Sequence, residues 1–167
     1  MKHHWRTEKI LNTEEAKAKS EELRQAGRKI VTLNGSFDLM HAGHLDMLEE
    51  GKQQGDVLFV GLNSDRSVRD GKGKDRPFIP EQERAAMLAA LICIDYVVML
   101  DVVPYSTAQD ELLRAVRPQV HVNGSEYGPP EKWIDWTVMQ EVGAKGYVVE
   151  RREGLATSDI VDKIQSL

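Results

Sequence analysis

The fold is decided by the stretch Asn34-Gly-Ser-Phe-Asp-Leu-Met-His-Ala-Gly-His44, which joins an apolar segment to an amphipathic one. Residues 29–33, Lys-Ile-Val-Thr-Leu, predict a buried strand. Residues 43–54 carry leucines at helical spacing and predict a helix. Gly35 lets the backbone turn tightly between the two elements, and Gly43 lets a ligand approach the start of the helix. Free N–H groups and the helix dipole at such a start favour an anion such as phosphate.

The rest of the chain repeats this alternation of strand and helix. Strands are predicted at residues 29–33, 56–62, 96–100, 119–122 and 146–150. Helices are predicted at residues 13–25, 43–54, 81–92, 106–116, 133–142 and 158–165. This spacing predicts an α/β fold with about five parallel strands and helices on both faces of the sheet. Ligands of such sheets bind beyond the carboxyl ends of the strands.

Length and composition predict one globular domain. The 167 residues have a mass of 18.8 kDa and are 41% hydrophobic. We expect a single domain over residues 1–167, with a helical extension at 1–27 and the core at 28–167. The longest uncharged apolar run, residues 85–94, is far shorter than the roughly 20 residues that cross a bilayer. With one cysteine, Cys93, and no apolar signal segment, we expect a cytoplasmic protein without a membrane partner.

The charge is unevenly distributed along the chain. The net charge of −5 argues against nucleic acid or an anionic membrane as a partner, because both favour a basic surface. Between Arg66 and Arg76, however, five basic residues stand against two acidic ones, a local sum of +3. We predict a basic loop here that binds a small, multiply charged anion, and a merely solvated loop is the alternative.

Two histidines in the deciding stretch are candidates for phosphate binding. His41 and His44 are three positions apart, so both side chains can lie on one side of the turn and donate hydrogen bonds to phosphate oxygens. Two alternatives compete with this interpretation: an ordinary polar surface, and a metal site completed by Asp38. The strand before the turn and the helix after it favour the phosphate site.

The motif itself is a familiar one. His41-Ala-Gly-His44, after Gly35-Ser-Phe-Asp38, resembles the His-x-Gly-His signature of the nucleotidylyltransferase superfamily, whose members join a nucleoside triphosphate to a phosphorylated acceptor and release pyrophosphate. The resemblance runs from about residue 29 to residue 164. It implies a Rossmann-like nucleotidylyltransferase fold in which an acceptor phosphate oxygen attacks the α-phosphorus of the nucleotide.

Two further groups of residues carry resemblances that differ in the nucleotide they imply. One group resembles the adenylyltransferase part of bacterial ADP-heptose synthesis enzymes, and it consists of Leu62-Asn-Ser-Asp65, Lys72-Gly73, Arg76-Pro77 and Glu83-Arg84. That part of those enzymes acts on D-glycero-D-manno-heptose 1-phosphate. Arg151-Arg-Glu-Gly-Leu-Ala-Thr-Ser-Asp-Ile160 is similar instead to the signature of cytidylyltransferases for glycerol 3-phosphate and phosphocholine. ATP is therefore the expected nucleotide and CTP the alternative.

The resemblance also implies roles for individual residues. The catalytic residues would be His41, His44 and Lys72, with Lys72 closing over the triphosphate. Mg²⁺ would enter with the triphosphate and be held mainly by it, without protein ligands. The nucleotide would be bound by Gly35, Ser36, Phe37, His41, His44, Lys74, Asn123, Gly124, Arg151, Thr157 and Ser158. The phosphorylated acceptor would be bound by Asp38, Asp65, Glu126 and Tyr127. Family members often form dimers, so a homodimer is a further expectation.

Two departures from the family pattern leave the acceptor open. Ser36 stands where the family usually has cysteine, and Asn123-Gly-Ser-Glu-Tyr127 stands where heptose enzymes carry Lys-Gly-Gly-Asp-Tyr. Losing that lysine removes a positive charge near the base or the acceptor. A cytidylyltransferase for a polyol or amino-alcohol phosphate such as glycerol 3-phosphate is therefore the main alternative. A nucleotide sensor without turnover and a metal hydrolase using Asp38, His41 and His44 are the others.

Four more residues have more than one interpretation. Arg84 would contact a phosphate or pair with a carboxylate. Trp133 and Trp136, three apart on a predicted helix, are expected in the core or in a subunit contact rather than against the substrate. His121 is expected to be structural or to lie on the surface.

Overall fold

Six strands form one parallel sheet in the computed structural model, which describes residues 5–150, 152, 154 and 156–167. The strands are β1 Ile10–Leu11, β2 Ile30–Gly35, β3 Val57–Asn63, β4 Tyr96–Leu100, β5 Val120–Gly124 and β6 Lys145–Val149. Their order across the sheet is β1-β4-β3-β2-β5-β6. The five predicted strands are confirmed, and the sixth, β1, was not predicted because two residues are too few to show a strand period.

Helices cover both faces of this sheet, as predicted. The helices are α1 Thr13–Gln25, α2 Ala42–Lys52, α3 Asp65–Lys72, α4 Glu81–Ala90, α5 Ala108–Val116, α6 Trp136–Val142 and α7 Thr157–Gln165. One apolar cluster joins the sheet to α2 and α4 through Leu48 and Leu88, and a second joins it to α1 and α5 through Ala16 and Leu112. None of the helices within the described residues is long and apolar enough to cross a membrane.

The basic stretch is not the loop that the sequence predicts. Its first part is helix α3, capped by Ser64, whose hydroxyl accepts a hydrogen bond from the backbone N–H of Ser67 at 3.1 Å. The helix is almost wholly polar, and of its residues only Ser67 and Val68 are buried. Helical periodicity therefore gave no apolar signal, and the cap was the feature that could have identified the helix.

Helix α6 begins later than predicted, at Trp136. The preceding residues form the short 3₁₀ turn Pro130–Lys132, which the paired prolines Pro129 and Pro130 favour. Trp133 therefore lies before the helix, where its indole N–H donates to the carbonyl oxygen of Gly128 at 2.9 Å. Trp133 is buried and Trp136 packs against the same cluster, in agreement with a core position.

The direction in which strands are added reverses between β2 and β5. From β2 the chain adds β3 and β4 on one side, and then β5 and β6 on the other. Such a switch point opens a crevice beyond the carboxyl ends of the two central strands. Those ends are Asn34-Gly35 and Asn123-Gly124, so the topology brings two of the segments selected from the sequence to one place.

Candidate functional site

Two adjoining cavities lie at this switch point. The first cavity has a volume of about 360 Å³ and the second of about 320 Å³. Both are lined by His44, Met47, Lys72, Arg76, Glu126 and Thr157. Only the first is lined by Asn34, Gly35, Ser36, Phe37, Asp38, Tyr105, Ser106, Gln109, Asn123, Tyr127, Trp133, Ile134 and Asp135. Only the second is lined by His41, Gly43, Gly124, Ala156 and Ser158.

The loop between β2 and α2 contributes to both cavities, because Phe37 and Asp38 line the first and His41 lines the second. Phe37 and Leu39 both have a φ of 48°, a left-handed conformation that L side chains rarely adopt. Phe37 is buried, and its ring lies so close to Gly35 that a Cβ there would be 3.2 Å from Cε2. The Ser36 hydroxyl lies 3.2 Å from the hydroxyl of Tyr105. The loop is therefore held in one shape by packing and by contacts outside its own segment.

The two histidines lie together at the start of α2. Their ring centroids are 4.0 Å apart, and His44 Nδ1 accepts a hydrogen bond from the backbone N–H of His41 at 3.3 Å. Burial, with repulsion from His41 and Lys72, lowers the pKa of His44 to about 4. The ring is therefore neutral at pH 7, and because Nδ1 is an acceptor its proton lies on Nε2. His44 is thus a neutral hydrogen-bond donor in the wall of both cavities.

Two cationic side chains line both cavities as well. Lys72 ends α3, and its Nζ lies 5.9 Å from the ring centroid of Tyr105. The helix packs closely on that tyrosine, because a Cβ at Gly71 would overlap the ring. Arg76 is the second cation. Lys74, by contrast, is exposed and lines neither cavity, so only one of the two lysines selected from the sequence reaches the site.

Asp38 fixes the position of Arg76. Its side chain is 1% exposed, and Oδ2 accepts a hydrogen bond from Arg76 Nε at 2.8 Å. The backbone N–H groups of Phe78 and Ile79 donate to the same carboxylate at 3.0 Å. The Asp38 carboxylate thus accepts hydrogen bonds from three groups of the protein, and it holds the Arg76 guanidinium at the cavity wall. Among the described residues, no three His, Cys, Asp or Glu side chains are grouped so as to hold a metal ion.

The start of α7 forms the far wall of the second cavity. Thr157 lines both cavities and donates its hydroxyl proton to the carbonyl oxygen of Asp38 at 3.2 Å, whereas Ser158 lines the second only. Arg151, which the sequence selected as a phosphate ligand, lies outside the described residues. The neighbouring Arg152 is exposed and pairs with Asp46 of α2, with Nε–Oδ2 and Nη2–Oδ1 distances of 2.6 and 2.8 Å.

The residues after β5 lie where the sequence predicts a ligand site. Asn123 lines the first cavity and Gly124 the second. Glu126 lines both, and its carboxylate packs so closely over Gly124 that a Cβ there would overlap it. Tyr127 lines the first cavity and is 60% exposed.

Asp65 and Arg84 form a structural pair outside both cavities. Arg84 is fully buried, and its Nη2 donates to Asp65 Oδ1 at 2.7 Å. The same guanidinium donates to the carbonyl oxygens of Ser36 and Asn63, and so ties the β2–α2 loop to the end of β3. Of the two interpretations of Arg84, pairing with a carboxylate is the one observed. The Asp65 carboxylate binds this arginine and does not line either cavity.

Several lining residues were not selected from the sequence. Tyr105 and Gln109 come from the segment after β4, and Trp133, Ile134 and Asp135 from the segment before α6. Aromatic, amide and isolated acidic residues in connecting segments have no spacing that distinguishes them from solvated loops. The one available signal was position, because a segment that follows a parallel strand lies at the ligand-binding edge.

Comparison with known proteins agrees with this geometry. A family model described as Cytidylyltransferase-like matches residues 32–164. The chain is 46% identical over 138 residues to the bifunctional protein HldE of Geobacter metallireducens. This match covers 83% of this chain and 27% of that protein. The chain is also 42% identical over 159 residues to HldE of Wolinella succinogenes, covering 95% and 31%. The chain thus spans less than a third of the length of these curated relatives.

Solved structures share the fold. The lipopolysaccharide core biosynthesis protein from Thermoplasma volcanium superposes with a TM-score of 0.61 at 25% identity, over 75% of this chain and 98% of that one. The pantoate-β-alanine ligase from Francisella tularensis, complexed with β-γ ATP and β-alanine, gives a TM-score of 0.65 at 15% identity, over 95% of this chain and 78% of that one. The second likeness is one of fold alone.

Proposed function

Since the chain belongs to the cytidylyltransferase-like family of nucleotidyltransferases, we propose that it transfers AMP from ATP to D-glycero-D-manno-heptose 1-phosphate. The products are ADP-heptose and pyrophosphate. The main support for this choice is the 46% identity to a bifunctional protein HldE, together with the resemblance at Lys72-Gly73 and Arg76-Pro77. ATP is the nucleotide of that resemblance, and CTP remains the competing substrate because of residues 151–160.

One observation supports phosphate chemistry above all. A neutral histidine donor, two cations and a helix-terminal hydroxyl converge on two adjoining cavities at the carboxyl ends of β2 and β5. These residues are His44, Lys72, Arg76 and Thr157. Donors and positive charges at such an edge favour a ligand that carries several negative charges.

The reaction needs positioning more than proton transfer. A phosphate monoester has a second pKa near ~6, so the acceptor oxygen is already anionic at neutral pH. In our proposal this oxygen attacks the α-phosphorus, and the bond from the α-phosphorus to the bridging oxygen breaks as pyrophosphate leaves. His44 Nε2–H, Lys72 and Arg76 stabilise the charge that develops on the phosphate oxygens. Because His44 is neutral, it donates a hydrogen bond without having to be protonated first.

In the proposed reaction, Mg²⁺ enters the site bound to the nucleotide. One carboxylate in the wall of the first cavity, Asp38, is bound by Arg76 and two backbone N–H groups. We therefore propose that the triphosphate oxygens and water hold the ion, and that it neutralises phosphate charge when bound. Because ATP is held inside the cell, we propose the cytoplasm as the place of this reaction.

The decisive experiment measures pyrophosphate release with ATP and CTP in parallel, each with both anomers of D-glycero-D-manno-heptose 1-phosphate. Release with ATP and one anomer supports the proposal, and the anomer identifies the acceptor. Release with CTP alone contradicts the choice of nucleotide. Absence of release in all four reactions contradicts the choice of acceptor, and glycerol 3-phosphate with CTP is then the next pair to test.

A further inference from the structure

A row of polar side chains crosses an otherwise apolar face of the sheet. Thr32 of β2 and His121 of β5 are paired in register, and Thr32 Oγ1 lies 2.8 Å from His121 Nδ1. Both residues are fully buried. Two positions further along the same face, Asn34 and Asn123 line the first cavity. The buried polar row therefore leads from the sheet interior to the cavity wall.

Asp135, from the segment before α6, contacts the His121 side chain of this row. His121 Nε2 lies 3.0 Å from Asp135 Oδ2, and the two side chains are 0% and 1% exposed. This is an ion-pair distance without hydrogen-bond alignment, and no hydrogen bond within the described part of the chain reaches either oxygen of the Asp135 carboxylate. The two ring nitrogens of His121 are thus flanked by Thr32 Oγ1 and Asp135 Oδ2.

Such a carboxylate is costly to the fold. A buried carboxylate loses its hydration, and the contact with His121 at 3.0 Å leaves both oxygens without a hydrogen bond from the described residues. The neighbouring cluster of Trp133, Val138 and Met139 is apolar, and an apolar residue in place of Asp135 would suit it better. Asp135 is therefore better explained by a ligand that donates hydrogen bonds than by packing.

The position of Asp135 narrows the chemistry of that ligand. Asp135 lines the first cavity but not the second, whereas His41, Gly43 and Ser158 line the second but not the first. A carboxylate repels phosphate and accepts hydrogen bonds from hydroxyl groups. The Asp135 carboxylate therefore lies outside the second cavity, although Lys72 and Arg76, which favour phosphate, line both cavities.

We propose that Asp135, held by His121, accepts hydrogen bonds from the hydroxyl groups of the acceptor and selects a polyhydroxylated one. This inference rests on the proposed function, because it assigns the acceptor to the first cavity. The ribose of the nucleotide also carries hydroxyl groups, and these are the other donors that could bind the Asp135 carboxylate. Kinetic constants measured separately for the two substrates distinguish the two sources.

The first test compares Asp135→Asn with Asp110→Asn in steady-state assays with ATP and D-glycero-D-manno-heptose 1-phosphate. Asp110 is a partly buried carboxylate in α5 that lines neither cavity. We expect Asp135→Asn to raise KM for the acceptor roughly 10- to 100-fold, the scale of a hydrogen bond to a charged group, with KM for ATP within about threefold. Asp110→Asn removes a charge near Asp135 but no lining carboxylate, so it should change either constant by no more than about threefold. An unchanged acceptor KM, or a rise confined to ATP, overturns the proposal.

The second test needs no variant, so it holds even if Asp135→Asn does not fold. The imidazole ¹⁵N resonances of His121 are followed while the heptose phosphate or an ATP analogue is added to the unaltered protein. A shift of the His121 signals with the acceptor alone supports the proposal, and unchanged signals overturn it. Turnover with unchanged His121 signals contradicts only this inference, whereas absence of both turnover and acceptor binding contradicts the proposed function as well.

Discussion

The two cavities differ in how their walls are assembled. The residues confined to the second cavity come chiefly from two short segments, 41–43 and 156–158. Those confined to the first cavity come from four distant segments, near Asn34, Tyr105, Asn123 and Trp133. The second cavity is rich in backbone donors at two helix starts, and the first contains aromatic and amide side chains and two buried carboxylates, Asp38 and Asp135. In the proposed function, phosphate binding would thus depend on local segments of the chain, and acceptor binding on the topology of the sheet.

The largest effect is expected at His44, where the two cavities meet. Removing its Nε2–H donor by His44→Ala should lower kcat about 10²- to 10³-fold, the scale of losing one preorganised donor. The measurement is the initial rate of pyrophosphate release, with circular dichroism to verify folding. Met47→Ala removes an apolar side chain from the same wall and serves as the control, with a rate within about tenfold of the unaltered protein. A folded His44→Ala protein with an unchanged rate would show that the donor is dispensable.

A matched pair of lysines tests whether lining the cavities is what matters. Lys72→Met removes a cation from both cavities, and kcat/KM for ATP should fall about 10- to 100-fold. Lys74→Met removes the same charge two residues away, outside both cavities, and should leave kcat/KM within about twofold. Equal losses in the two variants would mean that net charge of the segment, rather than position, governs nucleotide binding.

The sequence predicted most of the second cavity and roughly half of the first. The turn residues, the histidines and the hydroxyls at 157–158 lie in motifs whose spacing has a physical meaning. Asp135 and Tyr105 have no such spacing, and they reach the site only because the strand order reverses between β2 and β5. Helix α3 was not predicted because helical periodicity requires apolar residues, and this helix has almost none. Asp65 was selected for its place after a strand, but the ion pair with Arg84 depends on a buried partner 19 positions away.

Asn123 is the position where this chain departs from the heptose enzymes that it resembles, and it lies in the first cavity. Asn123→Lys adds a positive charge there and should lower KM for the phosphorylated acceptor about three- to tenfold, without changing KM for ATP. Asn123→Met has a similar size without the charge and is the matched control. An identical effect of lysine and methionine would mean that size, rather than charge, matters at this position.

The smallest effect concerns stability and pH. The pKa of His44 is lowered to about 4 in the folded chain from an ordinary value of 6.5. Between these values the unfolded chain binds a proton that the folded chain does not, so the unfolding free energy falls as the pH falls from 6.5 to 4. His44→Ala lacks this linkage. As the pH is lowered from 7 to 4.5, the Tm of the unaltered protein should therefore fall by a few degrees more than the Tm of His44→Ala, roughly the effect of 1 kcal/mol. Parallel Tm curves would contradict the lowered pKa.

The central claim is that the α-phosphorus of ATP is transferred to the acceptor. The most direct measurement supplies ATP labelled with ³²P at either the α or the γ position, together with the heptose 1-phosphate, and follows the label by chromatography. The account predicts that the α label appears in a nucleotide-sugar and the γ label in pyrophosphate. Transfer of the γ label to the acceptor, or release of α-labelled AMP without a nucleotide-sugar, would contradict it.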